Sequence, residues 1–248
     1  MGTSVPLVIA ERPQAIRQAD RAIVGRNVTE SFGIGDVALL GSAWIFDPAE
    51  NPTANISFGL GVKFPTGEDD VEDDFRAADR TVTRRTVDQS IQPGNGGFGA
   101  IVDVRAFPLL FDTVTVFGHG TCLFEPRETN GVRTGRSLAS EAVMSVADQY
   151  LRRIGLAIPI SREHGLSLLL GGRAEAVPVR DLIGGSDGFR RPGIAVSLEP
   201  GLVWANGPHT FSVSVPFAVY RNRWRSVSDR ADGRHGDAAF ADYLILFG

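Results

Sequence analysis

The sequence predicts an all-β protein, an antiparallel up-and-down transmembrane β-barrel. Three observations point there. Long runs of period-2 hydrophobic alternation recur along the chain, the connections between them alternate between short and long, and aromatic residues gather at two levels of the apolar face. The clearest run is Gly193 to Asn222. Ile194, Val196, Leu198, Leu202 and Trp204 fall on one face, with Ala195, Ser197, Glu199, Gly201 and Ala205 on the other. After Asn206-Gly207 the pattern resumes with Phe211, Val213, Val215, Phe217 and Val219. Such alternation marks strands with one apolar face, and Asn-Gly between them is a hairpin signal because both residues tolerate positive φ. Each strand is ~10 residues or longer, the ~9–11 that a tilted strand needs to cross a bilayer.

The remaining elements follow in order. Thr3 to Ile9 reads as the end of a strand, and Glu11 to Phe32 as a polar loop of low helix content. Gly35 to Phe46 is a second strand, closed by the turn cluster DPAENPT. Ala54 to Pro65 sets Ile56, Phe58, Leu60, Val62 and Phe64 against Asn55, Ser57, Gly59, Gly61 and Lys63. Thr66 to Gly96 is a long polar stretch, unusual in a compact soluble domain. Strands follow at Phe98–Phe107, Thr113–Phe124, Gln149–Ile160 and Leu166–Val177, with the phase near Leu151-Arg152-Arg153 unresolved. The last strand is expected over Ala238–Phe247. Pro200 and Pro216 each mark a bulge or a shortened strand, since a closed barrel has no free edge for a residue without an N–H.

Short connections lie near residues 47–53, 108–112, 161–165 and 206–208; long ones lie near 11–33, 66–96, 125–147, 178–192 and 223–236. Short turns on one side and long loops on the other are the habit of outer-membrane barrels. Trp204, Phe211, Tyr243 and Phe247 sit towards the short-turn end, and Phe64, Phe98 and Phe217 towards the long-loop end, as aromatic girdles would. Nine full strands plus the N-terminal stub give ten, an even number with both ends on one side.

Composition is compatible. Hydrophobic residues make up 43% of the 248, and mean hydropathy is near zero, with no run of ~18 apolar residues to form a membrane helix. A lumen-facing half dilutes barrel hydropathy. The net charge of −4 carries no basic footprint for nucleic acid. Basic residues are almost all Arg, and Lys63 is the sole lysine. The single Cys122 excludes an intramolecular disulfide framework. MGTSVPLVIAERP has no basic n-region of a signal peptide.

Several stretches resemble the outer-membrane barrels grouped as the "transporter" or meta-pathway phenol-degradation family: GIGDVALL, GLGVKFPTGEDD, SIQPGNGGFG, VPVRDLIGGSDGFRRPG running into VSLEPGL, and FADYLILFG. The likeness spans roughly Gly33 to Gly248. It implies a single-domain barrel of about twelve strands in the outer membrane, contacting lipid and taking up small apolar or aromatic compounds passively. It brings no catalytic residues and no cofactor. On that view two further strands and a signal peptide are expected upstream of Met1; a ten-strand barrel closed by a short first strand is the alternative.

The inward face is expected to carry Lys63, Asp103, Arg105, His119, Arg173, Glu175, Glu199 and Asp242. Lys63, Arg173 and Glu175 would lie in the outer half of the lumen, and Asp103 with Arg105 in the inner half. Mixed signs at similar heights point to cross-strand ion pairs, since unpaired buried charges are costly. Such pairs either pack a narrow barrel or form a selective constriction. The acidic run Glu68, Asp69, Asp70, Glu72, Asp73, Asp74 fits no calcium-loop spacing and reads as a solvated loop, so no metal is assigned. GNGGFG and LIGG lack the strand–GxGxxG–helix context of a nucleotide site.

Two rival functions remain open. A soluble or periplasmic β-barrel with an apolar ligand would turn Val213, Val215 and Phe217 inward; a membrane barrel turns them outward. An outer-membrane hydrolase would need His119 within hydrogen-bond reach of an acid or a hydroxyl nucleophile, although no Ser/His/acid spacing supports one.

Overall fold

The computed structural model describes residues 1–20, 22–207, 209–236 and 241–248. The strands in chain order are β1 (Gly2–Ser4), β2 (Leu7–Arg17), β3 (Ile23–Ile34), β4 (Ala38–Trp44), β5 (Ala54–Lys63), β6 (Glu72–Arg76), β7 (Val82–Thr86), β8 (Gly99–Leu110), β9 (Val114–Phe124), β10 (Thr129–Arg133), β11 (Val143–Ser145), β12 (Gln149–Ser161), β13 (Leu166–Val177), β14 (Gly193–Asn206), β15 (His209–Ser214), β16 (Phe217–Arg223) and β17 (Leu246–Phe247). The main sheet is antiparallel, in the order β1-β4-β5-β8-β9-β12-β13-β14-β15-β17, and curls into a half-barrel. Successive strands of this sheet pair, as up-and-down topology requires, with the hairpins β2–β3, β6–β7 and β10–β11 inserted between them and β16 pairing with β14 beside β15.

Period-2 patterning sets the two faces. On the convex side Phe58, Leu60, Ile154, Leu198, Phe211 and Phe217 are 45–66% exposed. On the concave side Asn55, Ser57, Asp103, Ser197, Glu199 and Ser214 are at most 6% exposed. Apolar groups thus face out and polar groups face in, the reverse of a water-soluble barrel. Phe217 is on the outward face, and Val213 and Val215 continue its alternation half-buried. Aromatic pairs mark both rims: Phe64–Phe98 and Phe124–Tyr150 at the long-loop end, Trp44–Phe107 and Trp204–Phe211 at the short-turn end, with centroids 5.4–6.2 Å apart.

Several expectations change. Glu11–Phe32 is not a loop: β2 and β3 pair from Leu7↔Ile34 to Arg17↔Ile23. They extend the β1–β4 pairing past the rim, joined through the Gly35 N–H that donates to Pro6 O at 2.8 Å. Glu11, Arg26 and Glu30 interrupt the face that carries Leu7, Ile9, Val28, Phe32 and Ile34, which hides this hairpin from a hydrophobic pattern. The Thr66–Gly96 stretch is also built, holding the β6–β7 hairpin and a 3-10 turn at Gln89–Ile91. The region after β16 holds the short helix α1 (Val227–Ala231), started by a Ser226–Asp229 capping box. The final strand shrinks to Leu246–Phe247 plus a Phe217↔Tyr243 bridge, while residues 238–240 of the expected span lie outside the described residues.

Pro200 passes through β14 with its register intact, opposite Leu170. Pro216 separates β15 from β16, yet the pairing with β14 keeps its offset across it, and the register slips only between Val196 and Ser197. The phase of β12 resolves with Arg153 opposite His119 and Arg173, on the inward side.

The tightest packing lies in the long connections. Val87, Ile91, Met144, Val146 and Phe189 are each at most 6% exposed. Met144 bridges to Phe189 in parallel fashion. The β2–β3 hairpin leans on this layer: Asn27 Nδ2 donates to Asp74 O at 3.0 Å, and Ser31 Oγ donates to Ile91 O. The loops therefore form an ordered cap over one end of the half-barrel.

Candidate functional site

Beneath the cap, inside the half-barrel, lies a cavity of about 850 Å³. Its wall has an apolar part that includes Ile101, Leu123, Leu151, Val177 and Leu244. Its charged part is Asp36, Lys63, Arg173, Glu175, Arg190 and Arg191.

Lys63 closes β5 and is the hub of a buried network at the rim. Its Nζ stands 2.7 Å from Asp36 Oδ2, 2.6 Å from Asn95 Oδ1 and 2.7 Å from Glu125 Oε1. Asn95 Nδ2 donates to Glu125 Oε2 at 2.6 Å. Asp36 also accepts the Gly67 N–H at 3.0 Å and the Asn95 N–H at 3.2 Å. Asp36 comes from GIGD, Lys63 and Gly67 from GLGVKFPTG, and Asn95 from PGNGG, three separate stretches brought to one place. Gly67 and Gly94 touch so closely that a Cβ on Gly67 would sit 2.7 Å from the Gly94 N and Cα, which is why both lack a side chain. Glu125 is fully buried. Burial pushes its carboxyl above the usual range, against the charge and hydrogen bond of Lys63 and the bond from Asn95.

Two arginines from FRRP anchor the cap. Arg190 holds Asp181 through Nη1–Oδ1 at 2.9 Å and Nη2–Oδ2 at 2.5 Å, and also donates to Ser145 Oγ. Arg191 forks onto Asp88 at 2.6 and 2.7 Å, and Asp88 takes Arg12 from β2 at 2.8 Å. Burial alone would raise the Asp88 carboxyl. Arg191, the Ser90 N–H and Arg12 overturn that and hold it well below the usual carboxylate range.

Below the cavity the inward face is a polar layer. Asp103 Oδ2 lies 2.6 Å from His119 Nε2 and accepts from Thr121 Oγ1 at 2.7 Å, while Arg105 Nε donates to Oδ1 at 2.9 Å. Thr121 Oγ1 is also 2.9 Å from His119 Nε2. Both the acid and the hydroxyl thus meet the same imidazole nitrogen. A nucleophile relay needs them on opposite nitrogens, so this cluster is arranged as a hydrogen-bonded brace. Arg153 and Glu199 form a two-bond fork, Nε–Oε2 and Nη2–Oε1 both 2.8 Å, with Ser214 Oγ donating to Oε1 at 2.9 Å.

Among the sequence candidates, Lys63, Asp103, His119, Arg173 and Glu199 line this interior. Arg105 faces the same way with its side chain about half exposed, and Glu175 is partly exposed beside Arg173. Asp242 departs from expectation: its side chain is 84% exposed at a bend, paired with Arg221 at 2.5 Å, because the last strand does not reach it. The ion pairs are also less uniformly cross-strand than expected. Arg105–Asp103 and Arg173–Glu175 lie two residues apart on one strand, whereas Arg153–Glu199 and Asp103–His119 bridge strands.

Sequence reading missed Asp36, Asn95, Glu125 and Arg153. The first two stood in the motif stretches, but nothing local announced that those stretches converge. Among the described residues no group of three or more His, Cys, Asp or Glu could hold a metal ion. The chain matches no family model and no curated protein.

Proposed function

We propose that this chain is an outer-membrane barrel protein that admits small apolar or aromatic compounds passively through its lumen. The observation that carries the reading is the inversion of its faces, with Leu, Ile and Phe exposed on the convex side and Asn, Ser, Asp and Glu buried on the concave one. In water such a surface is an aggregation liability; in lipid it is the required exterior. The aromatic pairs at both rims sit where girdles meet the two interfaces. The capped cavity, with its apolar wall, offers room for one small solute. The motif likeness to the phenol-degradation barrels agrees, since three of those stretches build the Lys63 network at the cavity mouth. A soluble barrel with an apolar ligand is disfavoured because its apolar face would be the inner one. A hydrolase is disfavoured because Asp103 and Thr121 share one nitrogen of His119.

The test is a heat-shift gel on membrane fractions of cells exporting the chain, followed by solute flux in liposomes. A compact unheated band that sediments with the outer membrane, together with aromatic flux, is expected. A soluble protein with no heat shift would overturn the reading.

A further inference from the structure

The cavity wall is electrostatically lopsided. Its four cations, Lys63, Arg173, Arg190 and Arg191, face only two acids on the same wall, Asp36 and Glu175. The other acids that balance them, Glu125, Asp88 and Asp181, stand behind the lining.

The cations are not equally engaged. Lys63 has three partners, and Arg190 and Arg191 each grip both oxygens of an aspartate. Arg173 differs. Its side chain is 12% exposed, its Nη2 gives one bond of 2.7 Å to Glu175 Oε1, and its buried Nε has no hydrogen-bond partner among the described residues. A buried guanidinium N–H without a partner is costly. Across the β12–β13 register Arg173 sits directly opposite Arg153, so like charges face each other at this level. Arg153 is already held by Glu199. The acid partner of Arg173, Glu175, is 39% exposed and able to swing away.

We propose that the cavity selects small organic carboxylates, with Arg173 receiving the carboxylate on its Nε edge and the wall of Ile101, Leu123, Leu151 and Val177 receiving the apolar body. The Nε–Nη2 edge of a guanidinium matches a carboxylate as a two-bond fork; here Nε is enclosed and Nη2 is held by Glu175, so the edge becomes available as Glu175 swings away. This proposal rests on the uptake reading and names its solute class.

The test compares benzoate with benzyl alcohol, which share a ring and differ in charge, by calorimetric binding to the folded full chain in detergent at pH 7.5. Benzoate is expected to bind at least about tenfold tighter than benzyl alcohol, the size of one charge-assisted hydrogen bond. Arg173→Gln should erase that ratio and leave benzyl alcohol unchanged, whereas Arg173→Lys should keep part of it. Glu175→Gln, at a partly exposed site, should tighten benzoate by removing the competing carboxylate, and it decides the matter if Arg173→Gln fails to fold. Equal affinities for the two probes, or benzoate binding indifferent to both variants, would overturn the proposal. If the chain still shows the heat shift and liposome flux in that case, only the solute class falls; if those fail as well, the uptake reading falls with it.

Discussion

Replacing Lys63 by Met tests the network at the cavity mouth. The substitution keeps the aliphatic stem and removes the ammonium that Asp36, Asn95 and Glu125 share. Glu125 has no exposed surface, so its carboxylate cannot turn to water. Stranding one partner of a buried pair costs about 3–5 kcal/mol. The cost depends on pH, with a definite sign. Burial already holds the Glu125 carboxyl above its ordinary 4.5, with Lys63 the main influence pulling it down. Without Lys63 the folded value climbs further. A group raised in the folded state adds stability below its unfolded pKa and loses it as pH rises through the folded one. The variant can therefore recover stability on acidification by protonating Glu125, by up to about 1.4 kcal/mol for each pH unit in that window. Urea unfolding in detergent micelles, followed by tryptophan fluorescence at pH 5.5 and pH 8, reads both quantities. The expected result is a large loss at pH 8 and a smaller one at pH 5.5. A loss under about 1 kcal/mol, or one equal at both pH values, would refute the network as a buried ionic hub.

Leu198→Arg, at a convex site 58% exposed, should cost about 2–4 kcal/mol in liposomes if that face meets lipid; a water-facing site would show about 0.5 kcal/mol or less. Asp88→Asn removes the charge that Arg12 and Arg191 share and should speed tryptic cleavage of the cap. Because the folded carboxyl is held well below its ordinary 3.8, its contribution is full above 3.8 and is lost as pH falls from there through the low folded value, so the effect should be the same at pH 5 and pH 8. Glu199→Gln should cost about 2–3 kcal/mol by stranding Arg153, whereas Arg153→Met with Glu199→Leu should stay within about 1 kcal/mol of wild type; equal losses in chemical unfolding would contradict the account. Gly94→Ala forces its Cβ into the Gly67 carbonyl and should separate those loops, read as faster amide hydrogen exchange at Asn95 and Gly67; unchanged exchange would count against the close approach.

Much of the barrel was legible because alternation and loop sorting are local signals. Gly193–Asn222 reads as a hairpin from Asn206-Gly207 alone, and the structure pairs Asn206 with His209. What escaped was of two kinds. The β2–β3 hairpin interrupts its apolar face with charge, Glu11 opposite Glu30 between Ile9–Phe32 and Pro13–Val28, so the pattern that marks a half-buried strand is broken. The cap and the Lys63 network are non-local. Val87 and Phe189 are single apolar residues in polar stretches and Met144 belongs to the short run AVMSVA, and only their meeting makes a core. Glu125 looks like any loop acid until Asp148 accepts its N–H at 2.8 Å and Lys63 reaches its carboxylate.

The cap also bears on how this surface can change over generations. Loops at the mouth of a barrel ordinarily drift freely, since they touch only solvent. Here Met144, Val146, Phe189 and Arg190 are all but inaccessible, so most loop substitutions disturb packing. Sequence freedom is left to the hairpin tips near Asp20 and Asp79 and to the short turns at the opposite end. A peptide tag or epitope grafted at Gly207 would have open space around it, whereas the same graft between Val143 and Asp148 would have to displace a packed layer. The side of the molecule with the longest connections is thus the one with the least room for novelty.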